Sequence, residues 1–352
     1  MSDTAGAARG TVSPEHARRN ALIQGGIGLV LLVVIFGVLL PQFISYSEVW
    51  DALAALTLGQ FLVVLALGLV LLWFSGAIYT SLIPGLGWWR GTKAWLASTT
   101  ASFVLPPPLD IPIRFAVYRH QGVGGESTAA GLVLSWFFTS GIKFVLPVVA
   151  FVSIVLQGGA GQNGGVIAVI AVAAIIGAAL LIVVVLRAKR IAYALGAWSG
   201  RIYNHALASH FHLPEIPDMG RHVLEFRERM VATLGDRWRR TLVLGLTAQL
   251  LSFVLLLVSL RFVGVTSSQV DVQLAWEAFA AGLLLSMVPF LPGGLGAVEL
   301  GYVTIMAGSD EALASQVAAA AFLARLFGWL LPIVVGIVPL MGWQRSNTRV
   351  EA

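Results

Sequence analysis

Six long apolar runs decide which solvent this chain folds in. They cover roughly Ala21 to Leu40, Leu58 to Leu82, Thr128 to Leu156, Val166 to Leu186, Thr241 to Val263 and Ala312 to Met341. Each is about as long as a helix must be to cross the hydrocarbon core of a bilayer. Two further stretches, roughly Ala94 to Tyr118 and Leu274 to Ala307, are broken in the middle by Pro-rich or Gly-rich sequence. A chain that is 58% hydrophobic and only 11% charged cannot bury such runs in a water-soluble core. The expected fold is an all-α polytopic membrane protein.

The two broken stretches resemble each other. Phe103-Val104-Leu105-Pro106 leads into Leu109 and Gly122 and then into an apolar run carrying Pro147, whereas Phe290-Leu291-Pro292 leads into Leu295 and Gly308 and then into a run carrying Pro332. Pro106 and Pro292, Leu109 and Leu295, and Gly122 and Gly308 are each 186 residues apart. The apolar pieces on either side of each break are too short to span alone, and irregular backbone at that depth survives only inside protein or along a wet cavity. Interrupted segments at corresponding places in two halves point to a transport site near the bilayer midplane.

Charge bias sets the threading. If both broken segments are re-entrant hairpins, six full spans remain, and one side collects Arg9, Arg18, Arg19, Arg90, Lys93, Arg114, Arg119, the bases of the Arg187 to Arg240 connector, Arg345 and Arg349. The other side holds Glu48, Asp51, Asp271, Asp310 and Glu311, with Arg261 its only base near the membrane. That asymmetry identifies the first side as cytoplasmic, with both termini there, in a multi-pass protein of the cytoplasmic (inner) membrane. Three spans separate the hairpins, so they enter from opposite faces as an inverted internal repeat. The expected organisation is a cytoplasmic tail (1–19), a first membrane half (20–187), a cytoplasmic connector (188–239), a second membrane half (240–342) and a second tail (343–352).

Within the connector, Ile191, Leu195, Trp198 and Ile202 recur at helical spacing, as do Val223, Phe226, Met230 and Leu234. They read as two amphipathic helices lying on the cytoplasmic leaflet, their bases toward anionic headgroups. The first span follows arginines as a signal peptide does, but Pro41-Gln42-Phe43-Ile44 offers no small-residue cleavage site, so it reads as an uncleaved anchor.

Several chemistries have no carrier in the sequence. Cysteine is absent, which excludes disulfides, thiol nucleophiles and cysteine-based metal sites. His205, His210 and His212 lack carboxylate or cysteine partners at ligand spacing. No GxxxxGK[ST], HExxH, DxD or GxSxG string occurs. The expectation is a non-enzyme without cofactor or metal, and the net charge of +5 reads as topology rather than as a nucleic-acid surface.

The string Pro292-Gly293-Gly294-Leu295-Gly296-Ala297-Val298-Glu299, followed by Arg325, Trp329, Pro332 and Gly336, resembles the flippase-like family, the transmembrane region of lysylphosphatidylglycerol synthetases and its stand-alone relatives. In the first half only Arg114 fits the family pattern, since Pro108, Asp110 and Ile111 stand where an Arg and a Gly-Glu pair are usual. The resemblance implies lipid translocation, or an accessory role in lipid chemistry, without the aminoacyl-transferring domain.

Charged groups within apolar runs are the candidate site. Intramembrane ionisable residues are costly and mark pathways or paired struts. Glu299, Arg325 and Lys143 read either as a polar cavity for a phosphate or glycolipid headgroup or, for Glu299 and Arg325, as an ion pair locking two helices. The Gly293-Gly294-Leu295-Gly296 turn would present N–H groups at a half-helix start, which suits an anion, though glycines also serve close packing. Arg114 reads as a phosphate contact or as a marker of the cytoplasmic face, Asp110 as a helix cap, Gln249 as helix–helix glue, and Trp73, Trp88, Trp89, Trp95 and Trp343 as interface anchors. The expected ligand is an anionic phospholipid or a lipid-linked saccharide. The alternative is a non-transporting partner of a lipid-modifying enzyme or glycosyltransferase, and a homo-oligomer fits either reading.

Overall fold

The computed structural model describes residues 54–102, 111–156, 188–208, 217–235, 237–287 and 292–350. The expected spans Ala21 to Leu40 and Val166 to Leu186, the Pro106-Pro107-Pro108 turn, Asp110, His210 and His212 lie outside these residues. Every regular element among the described residues is helical.

The first half contains α1 (Leu58–Leu82), α2 (Trp88–Ser102), α3 (Ile111–Arg119) and α4 (Gly125–Leu156). The connector forms α5 (Lys189–Ile202), which runs into a wide turn at Tyr203–Ala208, and α6 (Met219–Leu234). The second half contains α7 (Arg237–Phe262), α8 (Val272–Leu285), a tight turn at Pro292–Gly294, α9 (Ala297–Met306) and α10 (Glu311–Arg325). A widened helical turn at Leu326–Leu330 joins α10 to α11 (Leu331–Val350). Four continuous helices are long and apolar enough to cross a membrane: α1, α4, α7 and the joined Glu311–Trp343 segment.

Local sequence explains where these helices begin. Thr57 caps α1 with its hydroxyl while Gln60 reaches back to the Thr57 N–H, and Asp271 and Asp310 accept the free N–H groups of α8 and α10. Gly122 and Gly308 both have positive φ (82° and 58°) where the chain turns from a short helix into a long one.

The halves match in length and order. Helices α1 to α4 have 25, 15, 9 and 32 residues; α7, α8, α9 and the Glu311–Trp343 segment have 26, 14, 10 and 33. The 186-residue shift found in the sequence carries Ile111 onto Ala297 and Gly125 onto Glu311, the first residues of α3 and α9 and of α4 and α10.

Packing crosses between the halves. Helix α1 lies along α7, with Ser81 and Thr241 sharing a hydrogen bond of 2.8 Å. The short helix α2 packs on α11 of the other half, and α8 packs on α4. Thr100 donates to the Ile333 carbonyl at 2.9 Å, and a Cβ on Gly336 would strike the Thr100 hydroxyl, so glycine is what lets α2 and α11 touch. One core cluster joins α7 to α10 with Ile142 and Leu146 of α4, and another joins α1 to α4 with Leu340 and Trp343 of α11.

The connector departs from the expected pair of surface helices. Phe226, Met230 and Leu234 of α6 pack against Leu82, Ala130 and Leu134 at the ends of α1 and α4, so its apolar face covers protein rather than lipid. Helix α5 rests on α6 through a close approach of Gly196 to Gly220, and leaves Ile191, Trp198 and Ile202 exposed. Trp95 likewise is no interface anchor, being buried in the core between α2 and its neighbours.

Candidate functional site

The turn between α8 and α9 is held in a shape that only glycine adopts easily. Gly293, Gly294 and Gly296 have φ of 60°, 70° and 79°. A Cβ on Gly293 would lie 2.7 Å from the Trp329 indole nitrogen, and one on Gly294 would lie 2.6 Å from the Ser286 Cα. Conformation and crowding therefore both require glycine at these two positions.

Glu299 and Arg325 brace this turn from inside. Glu299 is the third residue of α9, and its Oε2 accepts the Gly296 N–H at 2.7 Å, as an acid in a first helical turn can. Its Oε1 lies 2.8 Å from Arg325 Nε. Arg325 also donates from Nη1 to the Gly293 carbonyl at 2.8 Å and from Nη2 toward the Gly294 carbonyl at 3.5 Å. All three guanidinium nitrogens thus face the turn and its carboxylate. The widened helical turn follows directly after Arg325 and carries Trp329, whose ring lies 5.8 Å from the guanidinium carbon. With side chains only 15% and 9% exposed, Arg325 and Glu299 form a nearly buried pair, which this set of extra hydrogen bonds makes tolerable.

A cavity of about 260 Å³ opens beside the braced turn. Its polar wall comes from five elements: Lys143 of α4, Gln249 and Ser252 of α7, Ser286 at the end of α8, Tyr302 of α9 and Arg325 at the end of α10. Lys143 Nζ donates to Ser286 Oγ at 3.3 Å, while Ser286 Oγ itself donates to the Leu283 carbonyl at 2.7 Å. Among the described residues no carboxylate forms an ion pair with Lys143. An ammonium that sits in a polar pocket with a single hydroxyl partner is suited to receive an anionic oxygen.

The structure sorts the residues singled out in the sequence. Glu299, Arg325, Lys143 and Gly293 come together: Arg325, Lys143 and Gly293 line the cavity, and Glu299, outside its wall, pairs with Arg325. Gly294 and Gly296 shape the turn without lining the cavity, and the Gly296 N–H that suited an external anion is occupied by Glu299. Arg114 lies elsewhere: it points from α3 toward Ser98 and Thr99 of α2, at 3.5 and 3.4 Å, with its guanidinium 5.8 Å from the Tyr79 ring. Gln249 and Trp329 belong to the cavity wall, as do Ser252, Ser286 and Tyr302, which the sequence reading missed. A polar pair three residues apart on α7, Gln249 and Ser252, was the available signal, because such residues share one helix face. Among the described residues no group of three His, Asp or Glu side chains could hold a metal ion.

Comparison with curated proteins returns no match. The family model of the lysylphosphatidylglycerol synthase transmembrane region matches residues 25–336, nearly the whole chain. With its membrane-length helices, cross-packed halves and glycine turn, this multi-pass membrane protein belongs to the lysylphosphatidylglycerol synthase transmembrane-region family.

Proposed function

We propose that the protein binds the headgroup of an anionic lipid or lipid-linked saccharide at the Lys143 cavity and carries it between the leaflets of the cytoplasmic membrane. The observation that carries this reading is Lys143 itself, an ammonium among spanning helices, beside an opening and without a carboxylate partner among the described residues. Structural ion pairs inside membranes neutralise their charges, as Glu299 and Arg325 do here; an unneutralised cation costs energy that a ligand can recover.

The proposed layout is six spans with two re-entrant hairpins entering from opposite faces. Helices α8 and α9, with 14 and 10 residues, rise about 21 and 15 Å, well short of the roughly 30 Å of hydrocarbon. They fold back on each other, since a Cβ on Gly282 would meet the Tyr302 ring and one on Gly301 would lie 2.5 Å from Leu285. In the first half Arg90, at the start of α2, reaches the Gln121 carbonyl just past the end of α3 at 3.5 Å, which ties the entry of that hairpin to its exit. The cross-half packing and the closely matched helix lengths favour an inverted repeat, the arrangement in which carriers place substrate between two gates. The charge bias supports a layout with both termini in the cytoplasm.

Proteoliposomes test this reading. The purified chain should speed exchange of a fluorescent anionic phospholipid between leaflets at least several-fold over protein-free vesicles, read by quencher accessibility. Exchange at the protein-free rate, with one lipid-modifying enzyme co-purifying in fixed ratio, would replace it with the membrane-partner reading.

A further inference from the structure

We propose that the cavity selects a monoanionic phosphodiester bearing an uncharged polyol, and disfavours the aminoacylated headgroup that gives the family its name. This rests on the reading of the Lys143 cavity as a lipid-headgroup site.

Counting the charges that face the cavity gives the first half of the argument. Arg325 contributes one positive charge and Glu299 cancels it at 2.8 Å. The remaining Arg325 nitrogens point at the Gly293 and Gly294 carbonyls, and the second Glu299 oxygen is taken by the Gly296 N–H. Neither group can turn to a ligand without undoing the turn. What remains is one ammonium, Lys143, matched to one anionic phosphate oxygen.

A diphosphate-linked carrier brings more negative charge than this. Its second phosphate would enter a cavity whose other lining cation, Arg325, is already paired with Glu299. A lysyl or other aminoacyl ester adds ammonium groups to the headgroup. These would face Lys143, and the carboxylate that could hold them, Glu299, is 7% exposed, already paired and not part of the cavity wall. Like charges sharing a confined low-dielectric site repel strongly.

The rest of the wall gives the second half. Gln249 and Tyr302 can both donate and accept, and the Ser252 and Ser286 oxygens, whose protons go to the Ala248 and Leu283 carbonyls, still accept; together they complement vicinal hydroxyls. Phe279 and Trp329 supply apolar walls for the carbon skeleton between those hydroxyls. The shared chemistry is met by the glycerol of a phospholipid or by a hexose on a polyprenyl monophosphate.

Native mass spectrometry of the full chain in detergent, offered pairs of lipids at equal concentration, reads the selectivity. Phosphatidylglycerol should be retained at least tenfold over lysylphosphatidylglycerol, and severalfold over phosphatidylmethanol, which has the same charge but no polyol. Lys143→Met should abolish the preference for anions. Gln249→Ala with Ser252→Ala should bring phosphatidylglycerol and phosphatidylmethanol level while leaving anion preference in place. Thermal midpoints near that of the parent chain establish that each variant is folded. Competition between phosphatidylglycerol and a polyprenyl phosphohexose identifies the source of the polyol, and either winner supports the inference if it also outcompetes phosphatidylmethanol. Equal retention of lysylphosphatidylglycerol and phosphatidylglycerol overturns it, as does a folded Lys143→Met that keeps anion preference. Selective binding without accelerated lipid exchange would leave this inference standing and remove the carrier reading.

Discussion

Arg325→Ala is expected to be the most destabilising single substitution at the site. It leaves Glu299 nearly buried beside an empty space and frees the Gly293 and Gly294 carbonyls, and breaking a buried pair by removing one partner costs about 3–5 kcal/mol. Glu299→Gln should cost less, because the amide can still accept the Gly296 N–H, but it strands the guanidinium. A double-mutant cycle separates the pair from its surroundings: the two losses together should fall well short of their sum, since each single change already removes the shared contact. Unfolding midpoints in detergent supply the numbers. Additive losses would mean that the two groups act independently and that the brace is not what holds the turn.

Lys143→Met should behave in the opposite way. Its ammonium makes one hydrogen bond to Ser286 and no ion pair among the described residues, so stability should change little or improve as an isolated charge leaves the membrane interior. Lipid exchange should nevertheless fall by about ten- to a hundredfold, the range given by the roughly 1.5–3 kcal/mol of a charge-assisted hydrogen bond. Lys143→Arg should recover part of the rate, because charge is kept while the fork geometry differs. A folded Lys143→Met with parental exchange would remove Lys143 from the transport path. On the carrier reading, one cation serves the fold and the other serves the ligand.

That division could not be read from the sequence, and the reason is physical. An apolar run containing Glu299 and another containing Arg325 foretell a pair, because neither charge is stable alone at that depth. Whether that pair also borders a cavity, with Lys143 left outside the pairing, depends on how α4 and α10 sit around the turn, and on the widened turn after Arg325, neither of which leaves a periodic signal. The long helices were far more legible. The run read as roughly Leu58 to Leu82 coincides with α1, whose start the Thr57–Gln60 cap fixes in the structure. Helix α7 starts earlier than its apolar run, at Arg237, because arginine continues a helix well even where the hydrocarbon ends.

Amphipathic pattern misled in one place for an equally general reason. Val223, Phe226, Met230 and Leu234 show that one face of α6 is covered, but a hydrophobic stripe is the same whether the cover is lipid or the ends of α1 and α4. Glycines were ambiguous in the same way. The three in the second turn suggested exposed N–H groups, whereas positive φ and the nearness of Trp329 and Ser286 account for them, and the turn presents its carbonyls inward to Arg325. The 186-residue spacing seen in Pro, Leu and Gly also separates the helix starts at Ile111 and Ala297.

The carrier reading stands on hairpins that enter from opposite faces, and the cysteine-free chain allows that geometry to be measured. Single cysteines at Gly87 and Gly124 flank the first hairpin, and at Ser268 and Ser309 the second; all four positions are exposed. Intact cells are then treated with membrane-impermeant and permeant thiol reagents. The expected result is labelling of Ser268→Cys and Ser309→Cys by the impermeant reagent, with Gly87→Cys and Gly124→Cys reached only by the permeant one. Labelling of Gly87→Cys and Gly124→Cys from different sides would make α2 and α3 a full crossing, and labelling of all four from one side would make the repeat parallel; either outcome contradicts a carrier with two opposed gates.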